Sequence, residues 1–217
     1  MRKLSGFMLA LALSLGSGSA LAQTFGTQGD AAFAGERLFG LTFSRENIEP
    51  GDGGPDFDID TTEFSFVWQG SGQLATPHVA PRLAFDYFVI DRLSIGGTIA
   101  YASRSVEAGD NPDVDFSEFL FQPRVGYAYM FNETIGIWPR GGLYYRSYSV
   151  DDGPEGSGFG LSIEGMLVIT PVEHFGFLVG PTIDFDLTGE REDPGPGPDD
   201  DQKFRTFGIQ AGVMGWL

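Results

Sequence analysis

Residues 202–217 alternate in side-chain character at every step. Phe207, Ile209, Ala211, Val213, Gly215 and Leu217 fall on one side, and Thr206, Gly208, Gln210, Gly212, Met214 and Trp216 on the other. A period of two is the period of a β-strand, and such a strand has one apolar face and one small or polar face. The same alternation recurs over residues 79–88, 92–104, 116–130, 134–149, 157–169 and 175–188. A chain with this pattern cannot bury its apolar faces as helices would, and it predicts an all-β protein.

The polarity of the two faces decides which side is inside. Arg124, Arg140, Arg146, Glu164, Asp184 and Asp186 all share the small or polar face. An Arg or Lys facing lipid at mid-membrane costs roughly 2–4 kcal/mol. If these strands cross a membrane, the charged face must therefore line the interior and the apolar face must meet lipid. A soluble ligand-binding barrel would show the reverse arrangement.

The N-terminus points to export. Arg2 and Lys3, the apolar run Phe7–Leu15 and the small-x-small motif Ala20-Leu21-Ala22 read as a secretory signal peptide over 1–22, with the mature chain beginning at Gln23. The apolar run is shorter than the ~18–20 residues of a spanning helix. The chain has no cysteine, which leaves out disulfides, thiol chemistry and lipoprotein attachment. Without a long apolar helix, a closed barrel is the one way for this chain to span lipid with every backbone group paired. A net charge of −17 argues against nucleic acid as a partner.

The connections alternate between tight and long. Ile90-Asp91-Arg92, Phe131-Asn132-Glu133 and Thr170–His174 are short. Residues 46–60, 105–115, 151–156 and 189–202 are long and hold most of the chain's 30 acidic residues. Outer-membrane barrels place short turns in the periplasm and long loops outside. Counting back from the C-terminal strand, 79–88 must descend, so one ascending strand must precede it to give an even total of eight. Residues 36–45, through Phe39, Leu41 and Phe43, are assigned that place. Residues 61–69, through Phe64, Phe66 and Trp68, are then a strand-like part of a long first loop. In the alternative, 61–69 is strand one and 36–45 plugs or flanks the barrel. The expected organisation is a signal peptide (1–22), a short N-terminal segment (23–35) and a transmembrane antiparallel up-and-down β-barrel (36–217).

The chain resembles the small eight-stranded outer-membrane barrels of the OmpA/OmpX type. The resemblance covers about Gly35 to Leu217, and the phrase Asp86-Tyr87-Phe88-Val89-Ile90-Asp91-Arg92-Leu93-Ser94-Ile95-Gly96 looks like the hairpins of that superfamily. It implies the outer membrane of a Gram-negative bacterium, insertion by the barrel-assembly machinery, and a neighbourhood of outer-membrane lipids and lipopolysaccharide. In the family the last strand usually ends in an aromatic residue; here Trp216 stands one place before the end. No peptidoglycan-binding module is expected after the barrel.

Four constellations could carry function. Arg82, Arg124, Arg140 and Arg146 are expected to pair with Asp86, Glu164, Asp184 and Asp186 inside a barrel that side chains just fill; a narrow ion path between them is the functional alternative. The acidic runs Asp56-Phe57-Asp58-Ile59-Asp60 and Asp199-Asp200-Asp201 are expected to be solvated loops, with weak divalent-cation binding as the alternative. His78, after Pro77, is placed near the outer rim, and His174, beside Glu173, in a periplasmic turn. Neither has a local nucleophile motif. Tyr87, Tyr101, Tyr127, Tyr129, Tyr145 and Phe175 are expected in interfacial girdles, and Trp138, Tyr144 and Tyr148 inside or above the membrane. No catalytic, cofactor or metal residue is assigned. The expected protein is a monomeric, non-enzymatic barrel with an envelope-structural or surface-interaction role. A narrow channel is the runner-up, and an outer-leaflet lipid hydrolase is the weakest alternative.

Overall fold

A computed structural model of the protein describes residues 25–66, 78, 80–106, 114–195 and 197–217. The proposed signal peptide lies outside them. The strands are β1 (Ala31–Glu49), β2 (Phe57–Phe66), β3 (Arg82–Ile90), β4 (Leu93–Val106), β5 (Val114–Tyr127), β6 (Tyr129–Met130), β7 (Ile135–Val150), β8 (Glu155–Val172), β9 (Phe175–Glu192) and β10 (Asp200–Trp216). All pairings are antiparallel. The sheet closes where β1 meets β10, with Ala32 opposite Trp216 and Glu49 opposite Asp201. β5 and the short β6 together flank β7, so the ring has eight wall positions.

The competition between residues 36–45 and 61–69 resolves in favour of the first. β1 is strand one, and it begins at Ala31, ahead of residue 36. β2 is not a ninth wall position. It pairs with the upper part of β1, from Phe39 opposite Phe66 to Ile48 opposite Phe57. β3 pairs with the lower part of the same edge, from Ala31 opposite Tyr87 to Glu36 opposite Arg82. β2 and β3 thus run the same way along successive stretches of one flank of β1. Between the two stretches β1 carries a bulge from Gly35 to Phe39, where Arg37 adopts a φ of 55°.

Short turns close the end where β1 begins and β10 ends. The Asn132 carboxamide accepts hydrogen bonds from the backbone N–H of Thr134 and of Ile135, both 2.8 Å, the local capping that makes asparagine a turn residue. Arg92 and His174 take positive φ, 71° and 62°, at the tips of the other two turns. At the opposite end the strands are longer than the acidic segments implied. Residues 46–49 and 57–60 are paired strand, leaving 50–56 as the loop, and β9 and β10 likewise take up 189–192 and 200–202. Two of the expected long loops, 46–60 and 189–202, are thus about half strand.

Alternation separates the faces as expected. Phe33, Phe39, Leu41 and Phe43 of β1, Ile163 of β8, and Phe207 and Ile209 of β10 point outward and are exposed. Tyr87, Tyr101, Tyr127, Tyr129 and Phe175 are exposed on the same outer surface, while Trp138 and Tyr144 are buried inside. An exterior of this kind needs lipid around it, since large contiguous apolar surfaces are not left in water. Among the described residues no helix is long and apolar enough to cross a membrane; the strands do so.

Candidate functional site

Among the described residues the lumen concentrates buried charge, and it is layered. At the mouth beside the start of β1 and the end of β10, Phe25 inserts its ring among Phe88, Trp138 and Trp216, with centroids 5.2, 5.2 and 5.3 Å away and all three contacts edge-on. Met166, Val168, Leu178 and Met214 complete this apolar layer. The segment carrying Phe25 is tied down by its own backbone. The Asp30 carboxylate accepts from the N–H of Gly26 and of Thr27 at 3.0 Å each. Gly29 N–H donates to the Phe88 carbonyl, Phe88 N–H to the Asp30 carbonyl, and Arg92 N–H to the Gly26 carbonyl.

Above this layer stands the charge network. Glu36 takes two parallel bonds from Arg124, both 2.8 Å, and a third from Arg140 at 2.5 Å. Arg124 also reaches Asp86 at 2.6 Å and Glu164 at 3.2 Å, and Arg140 meets Glu164 at 2.8 Å. The Arg140 guanidinium stands over the Trp138 ring, 4.6 Å from its centre, and so joins the ionic layer to the apolar one. Higher still, Asp184 receives Arg37 at 2.7 and 3.1 Å, Arg82 at 3.4 Å and His78 Nδ1 at 3.3 Å. Asp186 accepts from Arg146 Nε at 2.8 Å, the Tyr144 hydroxyl at 2.6 Å and the Phe204 N–H at 3.0 Å. Five buried arginines (37, 82, 124, 140, 146) thus face five buried acids (Glu36, Asp86, Glu164, Asp184, Asp186). Desolvated charges persist when each is paired and hydrogen-bonded, and this balance supplies both.

Each of the expected interior charges is in this network. Two members escaped the sequence reading: Glu36 and Arg37 are neighbours, and strict alternation would send one of them outward. The bulge between Gly35 and Phe39 lets both point in.

The placement of His78 at the outer rim is corrected. It is fully buried in the lumen, its ring edge-on to Tyr144 at 5.1 Å and its carbonyl accepting a bond from Arg37. The chain returning to β3 passes through the barrel interior at His78, because the paired carboxylates there stabilise a polar ring that lipid would not. Among the described residues no serine hydroxyl is hydrogen-bonded to His78, and no group of three or more acidic or histidine side chains is arranged to hold a metal ion. His174 lies in the turn at the terminal end, 3.6 Å from Glu173, with Nδ1 2.9 Å from the Trp216 carbonyl.

No family model matches the sequence, and no curated protein is similar to it. Solved structures do share its shape. The outer membrane protein OprG from Pseudomonas aeruginosa matches with a TM-score of 0.50 at 12% identity, over 88% of this chain and 97% of that one. Neisserial surface protein A (NspA) matches with a TM-score of 0.50 at 13% identity, over 87% and 97%. The outer membrane protease OmpT from Escherichia coli matches at 8% identity over 92% of this chain and 100% of that one, but its TM-score of 0.45 carries no argument about activity. The closed antiparallel ring and the lipid-facing exterior, with the shape shared by OprG and NspA, give the chain the fold of the small eight-stranded outer-membrane β-barrels.

Proposed function

We propose that the protein is a non-enzymatic outer-membrane barrel with a sealed lumen, acting through the wall and loops it raises outside the cell. The observation that carries this reading is the mutual ion pairing of five buried arginines with five buried acids above an apolar stopper. A conducting path would need water between these groups, yet five arginines and five acids bond to one another, and Phe25 fills the space beneath them. The outer end supports it as well. A membrane-spanning strand needs about 9–11 residues, whereas β1 has 19, and β8 and β9 have 18 each. The surplus presents Asp58, Asp60, Glu190 and Glu192 to the medium.

Planar-bilayer recording tests the reading. The wild-type protein is expected to leave the bilayer at its bare conductance. Steady unitary currents that change in Arg140→Ala would replace this reading with the narrow channel. The hydrolase alternative is tested on outer-leaflet lipids, where wild type and His78→Ala are both expected to be inactive.

A further inference from the structure

We propose that Arg45, Lys203 and Arg205 form a binding site for the phosphate groups of an outer-leaflet glycolipid, on the outer face of the seam between β1 and β10. The inference does not depend on whether the lumen conducts.

The chain has 13 Lys and Arg. Five arginines point into the lumen. Arg45, Lys203 and Arg205 sit together on the opposite, outward face, within two adjacent rows of the wall. Arg45 lies directly opposite Arg205, and Lys203 is the next outward residue up β10. Directly opposed side chains have Cβ atoms about 4.5–5.5 Å apart, and like charges so placed destabilise the sheet. Asp60 offsets Arg45 from the β2 side, which leaves Arg205 as the cation whose repulsion an added anion would relieve.

Their height fits a lipid phosphate. The outward apolar run of β1 extends from Phe33 to Phe43, and that of β10 from Phe207 to Leu217. At ~3.3 Å per residue and a tilt of ~40°, the β10 run covers about 25 Å along the membrane normal, the height of the apolar band of such barrels; the bulge shortens the β1 run, so that Phe33 to Phe43 matches Gly215 to Phe207, about 20 Å. Phe43 is paired with Phe207, and Arg45 with Arg205 is the next outward row. The cations therefore begin where acyl chains end and headgroups start. On β9 the row of Arg205 continues with Phe185, so apolar wall borders the cations on that side too.

The existing partners leave donors to spare. Arg45 binds Asp60 through Nε at 2.7 Å and Nη2 at 3.0 Å. Lys203 reaches Asp201 at 2.6 Å. Arg205 is exposed and has no carboxylate partner among the described residues. An arginine fork grips a phosphate through two parallel bonds, and Arg205 supplies an uncommitted one.

The test uses the full mature protein in bilayer discs of neutral phosphatidylcholine doped with lipid A carrying two phosphates, or with the same lipid A dephosphorylated. Retained lipid A is counted by native mass spectrometry. Wild type is expected to retain the phosphorylated form at least about tenfold better, equivalent to ~1.4 kcal/mol. The double variant Arg45→Gln/Arg205→Gln is expected to lose that preference. Arg191→Gln, which removes a cation paired with Asp193 on the same rim, is expected to keep it. Equal retention of both lipids by wild type, or an unaltered preference in the double variant, overturns the proposal. So does displacement of lipid A by equimolar bisphosphorylated glucosamine disaccharide lacking acyl chains, which would mark a site for soluble phosphate. If the double variant fails to migrate as a folded barrel, Arg205→Gln alone decides between the same outcomes, since its side chain holds no partner in the wall.

Discussion

Arg124 and Glu36 face each other across the lumen through two parallel contacts of 2.8 Å. Both are almost wholly excluded from solvent, and Arg124 also neutralises Asp86 and Glu164. Removing one partner from a buried ion pair leaves an uncompensated charge and typically costs about 3–5 kcal/mol. Arg124→Ala is expected to lose stability on that scale. Arg124→Ala combined with Glu36→Gln should recover part of the loss, because the second change removes one of the stranded charges. Urea unfolding in detergent, followed by the heat-dependent shift in gel migration, measures both.

Phe25 is held by three aromatic neighbours and is 4% exposed. Phe25→Ala is expected to cost ~3–5 kcal/mol, the usual range for a phenylalanine removed from a packed core. It should not by itself open a conducting path, since the ion-paired layer above it is untouched. Bilayer recording of the variant checks this. Steady current in Phe25→Ala would show that the apolar stopper alone seals the lumen.

Gly96 stands directly opposite Asp86. A methyl group there would press on the Phe85 carbonyl oxygen and on the Asp86 carboxylate at 2.6 Å, the group that binds Arg124. Gly96→Ala is expected to destabilise by about 1–3 kcal/mol, the range for overpacking. Its effect should not add to that of Arg124→Ala, since both act through the same carboxylate. A double-mutant cycle reads the coupling.

Ile163 faces lipid in the middle of β8, and Leu187 faces outward near the outer end of β9, one row beyond Phe185. Ile163→Arg is expected to cost roughly 2–4 kcal/mol, and Leu187→Arg about 0–1, because the penalty falls toward the interface. Folding into vesicles of the two variants, titrated with guanidinium, compares them. Equal costs would place the apolar band elsewhere on the wall.

How far the sequence reaches is shown by particular residues. Alternation through Phe207, Ile209 and Val213 against Thr206, Gly208 and Gln210 sorts the two faces correctly, because in an uninterrupted strand parity alone sets direction. The charges at 82, 86, 124, 140, 146, 164, 184 and 186 obey that rule, and their presence in the lumen is legible in the sequence. Parity also required one ascending strand before 79–88 but left 36–45 and 61–69 to compete for that place, which the structure gives to β1. Arg37 breaks the rule, because a bulge is a local insertion into the ladder that side-chain pattern does not announce.

Closure of the ring is the other limit. His78 meets Asp184, and Phe25 meets Trp138 and Trp216, only because residues far apart in the chain are brought together when β1 seals against β10. The opposed pair Arg45 and Arg205 belongs to the same seam. The sequence by itself determined an all-β chain, which face meets lipid and which charges turn inward, since these follow from a two-residue period and the cost of charge in lipid. Only the tertiary structure decided how the lumen is stoppered, where His78 lies and which cations share the outer face, because each depends on contacts across the closed barrel.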